Sequence, residues 1–414
     1  MLQIDKNHQF VDGVFLLKLI NPTSISLIAM SKGINNFFDD IKSFEYCSPS
    51  SEYQIKKECI FVFNNENFFY YTLYFQYQQE IYELVIKSYQ RCVHFFITFL
   101  TQLFSFFCED NSANNPNSIF NLAQILISEW PTTFKAKMNI AFPYQKSKYT
   151  FTNSDFTYYH FNPTKFFTLK LCSQIFFNLF TARPILLVAP DASIGCEACF
   201  SALSLFHPLG YEEPMILWLR KDDPRYIEIL KAKGKSPYLV VVTDDHEEIE
   251  SKFDLVIPIK GTYKIDRHFE STFHDYVKKI FLTIQDELFN QLIRNPYSDI
   301  LNLPWTGESM EEVLKNPKFQ FMPNIESLKL FERSKSVKNW RLRRCDMEAL
   351  RNILLQCDDI CFEDLSVENL EILFDFLKSM KKNFKNDMHM KAVIKKHSSI
   401  VSSILKKVVT NNIN

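Results

Sequence analysis

Apolar and polar positions change rhythm three times along the chain. Over the first third, aromatic and β-branched runs are separated by short polar gaps: residues 14–20 (VFLLKLI), 60–63, 70–75 and 82–86. Runs of that composition and length predict strands. Gln76, Gln78, Gln79 and Glu80 between two of them suit a hairpin turn, although no glycine marks it. Residues 92–107 then predict a long helix, so a meander sheet with a helix packed on it is expected, an α+β sandwich of two layers. Residues 111–118, with Pro116, read as a loop. Residues 119–128 read as a short helix running to Trp130-Pro131, and 144–161 as a linker.

From residue 164 the pattern alternates. Residues 164–180 predict a helix with Phe167, Leu171, Ile175 and Leu179 on one face. Uninterrupted apolar strands follow at 185–189 (ILLVA), 215–219 (MILWL), 238–242 (YLVVV) and 255–259 (LVIPI), the last an edge strand by its Pro258. Helices fill the gaps: 194–206, stopped by Pro208 and Gly210; one opened by Asp223 as cap and Pro224 as first residue; and a short one to Lys252 behind an Asp245/Glu248 capping box. Continuous apolar strands separated by helices imply a parallel sheet covered on both faces. From Phe273 onward only helical patterns occur, at 273–294, 307–315, 325–355, 363–384 and 391–409. The expected fold is therefore α/β, with an α+β lobe (1–150), a doubly wound, mainly parallel central lobe (151–265) and an all-helical region (266–414).

Composition narrows the function. A chain of 414 residues, 46% hydrophobic and 23% charged, fills a core and excludes wholesale disorder. A net charge of −1 excludes bulk attraction to nucleic acid or anionic lipid and leaves only local patches. Seven glycines argue against a glycine-rich phosphate loop. Ten scattered cysteines without a preceding secretory signal predict a reduced, cytoplasmic protein. The uncharged stretch 92–108 is interrupted by His94, Gln102 and Ser105 and is shorter than the ~20 apolar residues of a membrane helix.

The sharpest polar constellation is Asp191, Asp222, Asp223, Asp244 and Asp245, each just past a predicted parallel strand, where open α/β sheets bind ligands. Such carboxylates suit Mg²⁺ and phosphoryl transfer, yet Asp223 and Asp245 each stand at a helix start, where a cap is the simpler reading. Ser193, in the turn APDASIG, reads as the cap of its helix. Cys196 and Cys199 lie inside that helix without a second pair at zinc spacing and read as core residues, as do Cys357 and Cys361. His94 reads as a core histidine, and the basic run 340–344 (WRLRR) as a solvated helix face. No catalytic, cofactor-binding or metal-ligating residue is assigned.

Residues 68–76 (FFYYTLYFQ), 84–86 (LVI), Ser88 and 94–96 (HFF), followed by Trp130-Pro131, resemble the upstream, longin-like lobe of the tripartite DENN-domain family. Residues 183–190 (RPILLVAP), the 203–211 segment with Pro208-Leu209 and Tyr211, and 236–243 (SPYLVVVT) resemble its central lobe. The branch most resembled is that of DENN domain-containing protein 6. The resemblance implies a guanine-nucleotide exchange factor for a Rab-type small GTPase, without cofactor or nucleic acid, recruited to endosomal or vesicle membranes as a peripheral protein at most. Exchange forms no covalent bond: the factor binds the nucleotide-free GTPase more tightly and so lowers nucleotide affinity. Asp191, Ser193, Trp218, Arg220, Asp222, Asp244 and Asp245, at one predicted sheet edge, are the expected GTPase contacts. A non-catalytic scaffold or effector of the same architecture, or a Mg²⁺-dependent phosphotransfer enzyme using the strand-end aspartates, are the alternatives.

Overall fold

A computed structural model describes residues 10–21, 24–31, 59–65, 67–109, 115–130, 138–140, 142, 149–151, 155, 158–207, 209–243, 246–263, 268, 271–273, 275, 277–278, 295–301, 330–331, 333–344, 350–351, 354–355, 360, 362–384 and 387–411. The chain divides into two compact units, one of Ile4–Lys278 and one built on Lys279–Asn414.

The first unit opens with a five-stranded antiparallel sheet in the order β2-β1-β5-β4-β3. Its strands are β1 (Gly13–Asn21), β2 (Ser24–Met30), β3 (Cys59–Asn64), β4 (Phe69–Tyr77) and β5 (Glu80–Ser88). The turn between β4 and β5 is made by Gln78 and Gln79, both at positive φ (49° and 68°), the left-handed pair that a two-residue hairpin requires. Strand β2 is additional to the sequence reading, although Ser24-Ile25-Ser26-Leu27 carries a two-residue period. Helix α1 (Val93–Glu109) lays Val93, Phe95, Phe96, Phe99, Leu100 and Leu103 into the core, and Phe96 stacks on Tyr71 of β4. Helix α2 (Pro116–Ser128) begins earlier than expected, because Asn115 caps it and Pro116 occupies its first turn. The expected linker at 144–161 instead carries β7 (Tyr149–Phe151), paired with β6 (Met138–Ile140).

The second sheet is parallel throughout, in the order β11-β8-β10-β9. Its strands are β8 (Ile185–Val188), β9 (Met215–Leu219), β10 (Val240–Thr243) and β11 (Leu255–Pro258), the last at an edge, as Pro258 required. Helix α3 (Leu169–Phe180) precedes it; Thr168 caps that helix, and Pro163–Lys165 upstream form a separate 3-10 turn, so Phe167 lies outside the expected helical face. Helices α4 (Ala192–Ser204) and α5 (Pro224–Lys231) supply the crossovers. All five residues of β9 are buried, and Leu186, Ile216 and Leu219 meet Tyr226 and Ile229 of α5 on one face. The short helix expected before Lys252 is a 3-10 turn, Glu250–Lys252, without a side-chain cap.

Elements described in the second unit include α6 (Lys335–Arg344), α7 (Val367–Asn383) and α8 (Met388–Asn411). Helices α7 and α8 close on a core containing Leu370, Leu373, Leu377, Met390, Ile394 and Val401. The turn at 295–301 ties this core to two helices. Tyr297 bonds His397 Nδ1 of α8 at 2.7 Å, and Asp299 pairs with Arg341 of α6 at 2.9 Å. Arg341 is 0% exposed, so the basic run is not a solvated face throughout: its second residue is a buried ion pair, held also by the Ser298 carbonyl at 2.9 Å. The predicted segments 279–294 and 307–315 lie outside the described residues.

Candidate functional site

The two sheets of the first unit meet along the outer edge of β3. An unpaired edge exposes alternate N–H and C=O groups, and these must be satisfied or covered. Here side chains of α4 and α5, the crossover helices of the second sheet, satisfy them. Ser193 Oγ donates to the Ile60 carbonyl at 3.1 Å. Cys196 Sγ donates to the Val62 carbonyl at 2.9 Å and accepts from the Val62 amide at 3.4 Å. Arg225 Nη1 donates to the Asn64 carbonyl at 2.7 Å. In return the Asn64 side chain pairs with the outer edge of β9: its Nδ2 donates to the Met215 carbonyl at 2.8 Å and its Oδ1 accepts from the Leu217 amide at 2.9 Å. One amide thus imitates a neighbouring strand. Arg91 adds a further tie by donating to the Tyr211 carbonyl at 2.7 Å.

Beside this seam, between α1 and α4, lies a cavity of about 540 Å³. Ile60, Phe61 and Leu73 of the first sheet and Ile97 and Phe104 of α1 line its apolar side. Hydroxyls of Thr101, Ser105 and Ser193, the thiols of Cys59 and Cys196, and Glu197 supply its polar groups, and Glu197 is paired with Lys165. Burial pushes the Cys196 thiol up to about 12, with the Val62 bond opposing, so it stays a neutral S–H donor at neutral pH. The CxxC pair is therefore interior, as expected, but Cys196 is also a joint between the sheets.

The strand-end residues fall as follows. The carboxyl ends of β8, β9 and β10 are in register, Thr243 opposite both Val188 and Leu219. The segments after β8 and β9 therefore share one edge, two strand spacings or about 10 Å apart. Asp191, not Ser193, caps α4, accepting from the Ile194 amide at 2.8 Å. The expected cap role of Ser193 is wrong because it sits within the first turn, which frees its hydroxyl to reach β3. Arg220 and Asp222 form a forked pair at 3.0 and 2.9 Å, with Asp222 54% exposed. Asp223 is buried, caps α5 and holds Arg225 at 2.7 Å. Trp218 is 1% exposed, packed inside β9, and offers no surface. Asp244 and Asp245 lie outside the described residues. Asn64 and Arg225 carry no role in the sequence reading; the available signal for Asn64 was a polar residue ending an apolar strand, and Arg225, in the first turn of α5, offered none.

Among the described residues, no group of three or more His, Cys, Asp or Glu is arranged to hold a metal ion. Nor is any helix there long and apolar enough to cross a membrane. His94 is half-buried and stacks on His160 at 4.1 Å; burial, then the neighbouring His160, lowers its pKa to about 4. No protein-family model matches the chain, and a search of curated proteins yields no match.

Proposed function

We propose that the chain is a guanine-nucleotide exchange factor for a Rab-type small GTPase, engaging the switch region with a surface drawn from both sheets. One observation carries the reading: the two sheets are bonded into one unit, and beside their seam lies a cavity lined by the first sheet and α1 on one side and by α4, the helix that follows β8, on the other. An exchange factor needs such a rigid two-sided surface and no covalent chemistry. Ser193 joins the cavity to the strand-end edge, since it lines the one and lies in the first turn of α4, directly after β8, at the other. The residue resemblance to the DENN family points the same way. Two aspartates needed by the phosphotransfer alternative are engaged as caps, Asp191 on Ile194 and Asp223 on Arg225.

The test is a panel of Rab proteins loaded with fluorescent GDP, mixed with the full chain. Catalysed release from a member of the panel is expected. Replacing Arg220 and Asp222 together by alanine is expected to weaken it about tenfold, about 1.4 kcal/mol, with unchanged melting. A stable GTPase complex without faster release would favour the scaffold reading. Neither release nor a complex with any nucleotide-free member would refute both.

A further inference from the structure

Positive charge is concentrated at one end of a chain that is otherwise acidic. Residues 376–414 hold nine lysines against a single acid, Asp387, a formal +8 in a chain whose total is −1. Helix α8 contributes five of those lysines and has no acidic residue in 24 positions. Asp387 is already engaged, accepting from Arg351 Nε at 2.7 Å and capping the Met390 amide at 3.1 Å.

The lysines share one side of the helix. Met390, Ile394, His397 and Val401 form the buried stripe, whereas Lys391, Lys395, Lys396, Lys406 and Lys407 are all exposed. At about 100° per residue, these five fall within an arc of about 160° opposite that stripe, spread over about 24 Å of axis. Exposed Lys381 and Lys382, at the end of α7, extend the charge past the turn. Met388, 75% exposed, adds an apolar side chain to the same arc. An ordinary solvated face interleaves both signs. The first half of α7 carries acids, Glu368, Glu371 and Asp375, and Asp375 is paired with Lys378; α8 has none.

We propose that the exposed face of α8 is a docking surface for the anionic headgroups of a lipid bilayer. Clusters of four to eight basic residues on an amphipathic helix are drawn to such a surface, each Lys or Arg adding to the attraction. Three features favour a bilayer over nucleic acid. The cations are all lysine, point charges suited to mobile headgroups, with no arginine after Arg351 for bidentate phosphate or base contacts. No Phe, Tyr or Trp lies in α8 to stack on bases. An exposed methionine stands ready to enter the headgroup layer. The inference does not depend on the GTPase reading.

Sedimentation of the full chain with phosphatidylcholine vesicles, with and without about 30% phosphatidylserine, tests it. Binding is expected only with the serine lipid and is expected to weaken steeply as salt is raised. The triple variant Lys391→Glu, Lys395→Glu, Lys406→Glu is expected to lose at least about tenfold in affinity with unchanged melting. A milder pair, Lys395→Ser with Lys406→Ser, is expected to lose less and guards against a folding defect. Wild-type binding by the triple variant, or no binding of the native chain at low salt, would overturn the proposal. So would a labelled RNA oligonucleotide that the chain binds and that displaces it from the vesicles.

Discussion

Asn64 is where the junction of the two sheets is most open to a decisive test. It ends β3, is 7% exposed, and its side chain makes both hydrogen bonds of a missing strand neighbour to Met215 and Leu217. Asn64→Ala removes both and strands the buried Met215 carbonyl and Leu217 amide. Each unsatisfied buried group costs about 1–3 kcal/mol, so a loss of about 2–4 kcal/mol is expected. Asn64→Asp is the sharper perturbation. It keeps shape and the acceptor for Leu217 but turns a carboxylate oxygen toward the Met215 carbonyl. If the amide works as a strand mimic, aspartate is expected to lose as much as alanine or more. If it merely fills space, aspartate is near neutral. Urea unfolding of the full chain reads the difference as a midpoint shift of about 1 M. Hydrogen exchange of the 215–219 peptide localises it, with protection at Leu217 expected to fall while 185–188 stays protected. An Asn64→Asp protein with the native midpoint and native exchange at Leu217 would refute the reasoning.

Arg225→Ala is expected to cost about 3 kcal/mol, because buried Asp223 loses its forked partner and the Asn64 carbonyl its donor; urea midpoints measure it. Arg341→Ala is expected to cost about 3–5 kcal/mol by leaving Asp299 charged and buried, and Arg341→Met with Asp299→Leu to recover most of that in the same assay. Burial, then Lys396, lowers the His397 pKa to about 4, below its ordinary 6.5. Between those values the unfolded chain binds more protons than the folded one. Its contribution is therefore complete above pH 6.5 and lost as pH falls toward about 4. Exchange protection of 388–411 is expected to decline over that window, and His397→Gln is expected to flatten the decline.

How much of this was legible beforehand depended on range. Local signals worked where neighbours in sequence decide the outcome. The apolar runs at 60–63, 70–75, 82–86, 185–189 and 215–219 became strands, Asp223-Pro224 opened a helix, and Pro258 marked an edge. Strand β2 and the β6–β7 pair were passed over because short strands are stabilised mostly by the partner they find, not by their own composition. The same limit applies to single side chains. Asp191 and Ser193 are both good caps by type; only the approach of β3 to α4 assigns one to the helix and the other to Ile60. Cys196 reads as core from its spacing, but its bond to Val62 spans 134 residues. Arg341 looks solvated in a basic run until Asp299, 42 residues away, meets it in the interior. Composition and periodicity settled the longer helices and strands named above, since those preferences are local; the short strands, which edges meet, which polar groups are buried and where a cavity remains were decided by contacts between distant segments, which only the folded chain brings together.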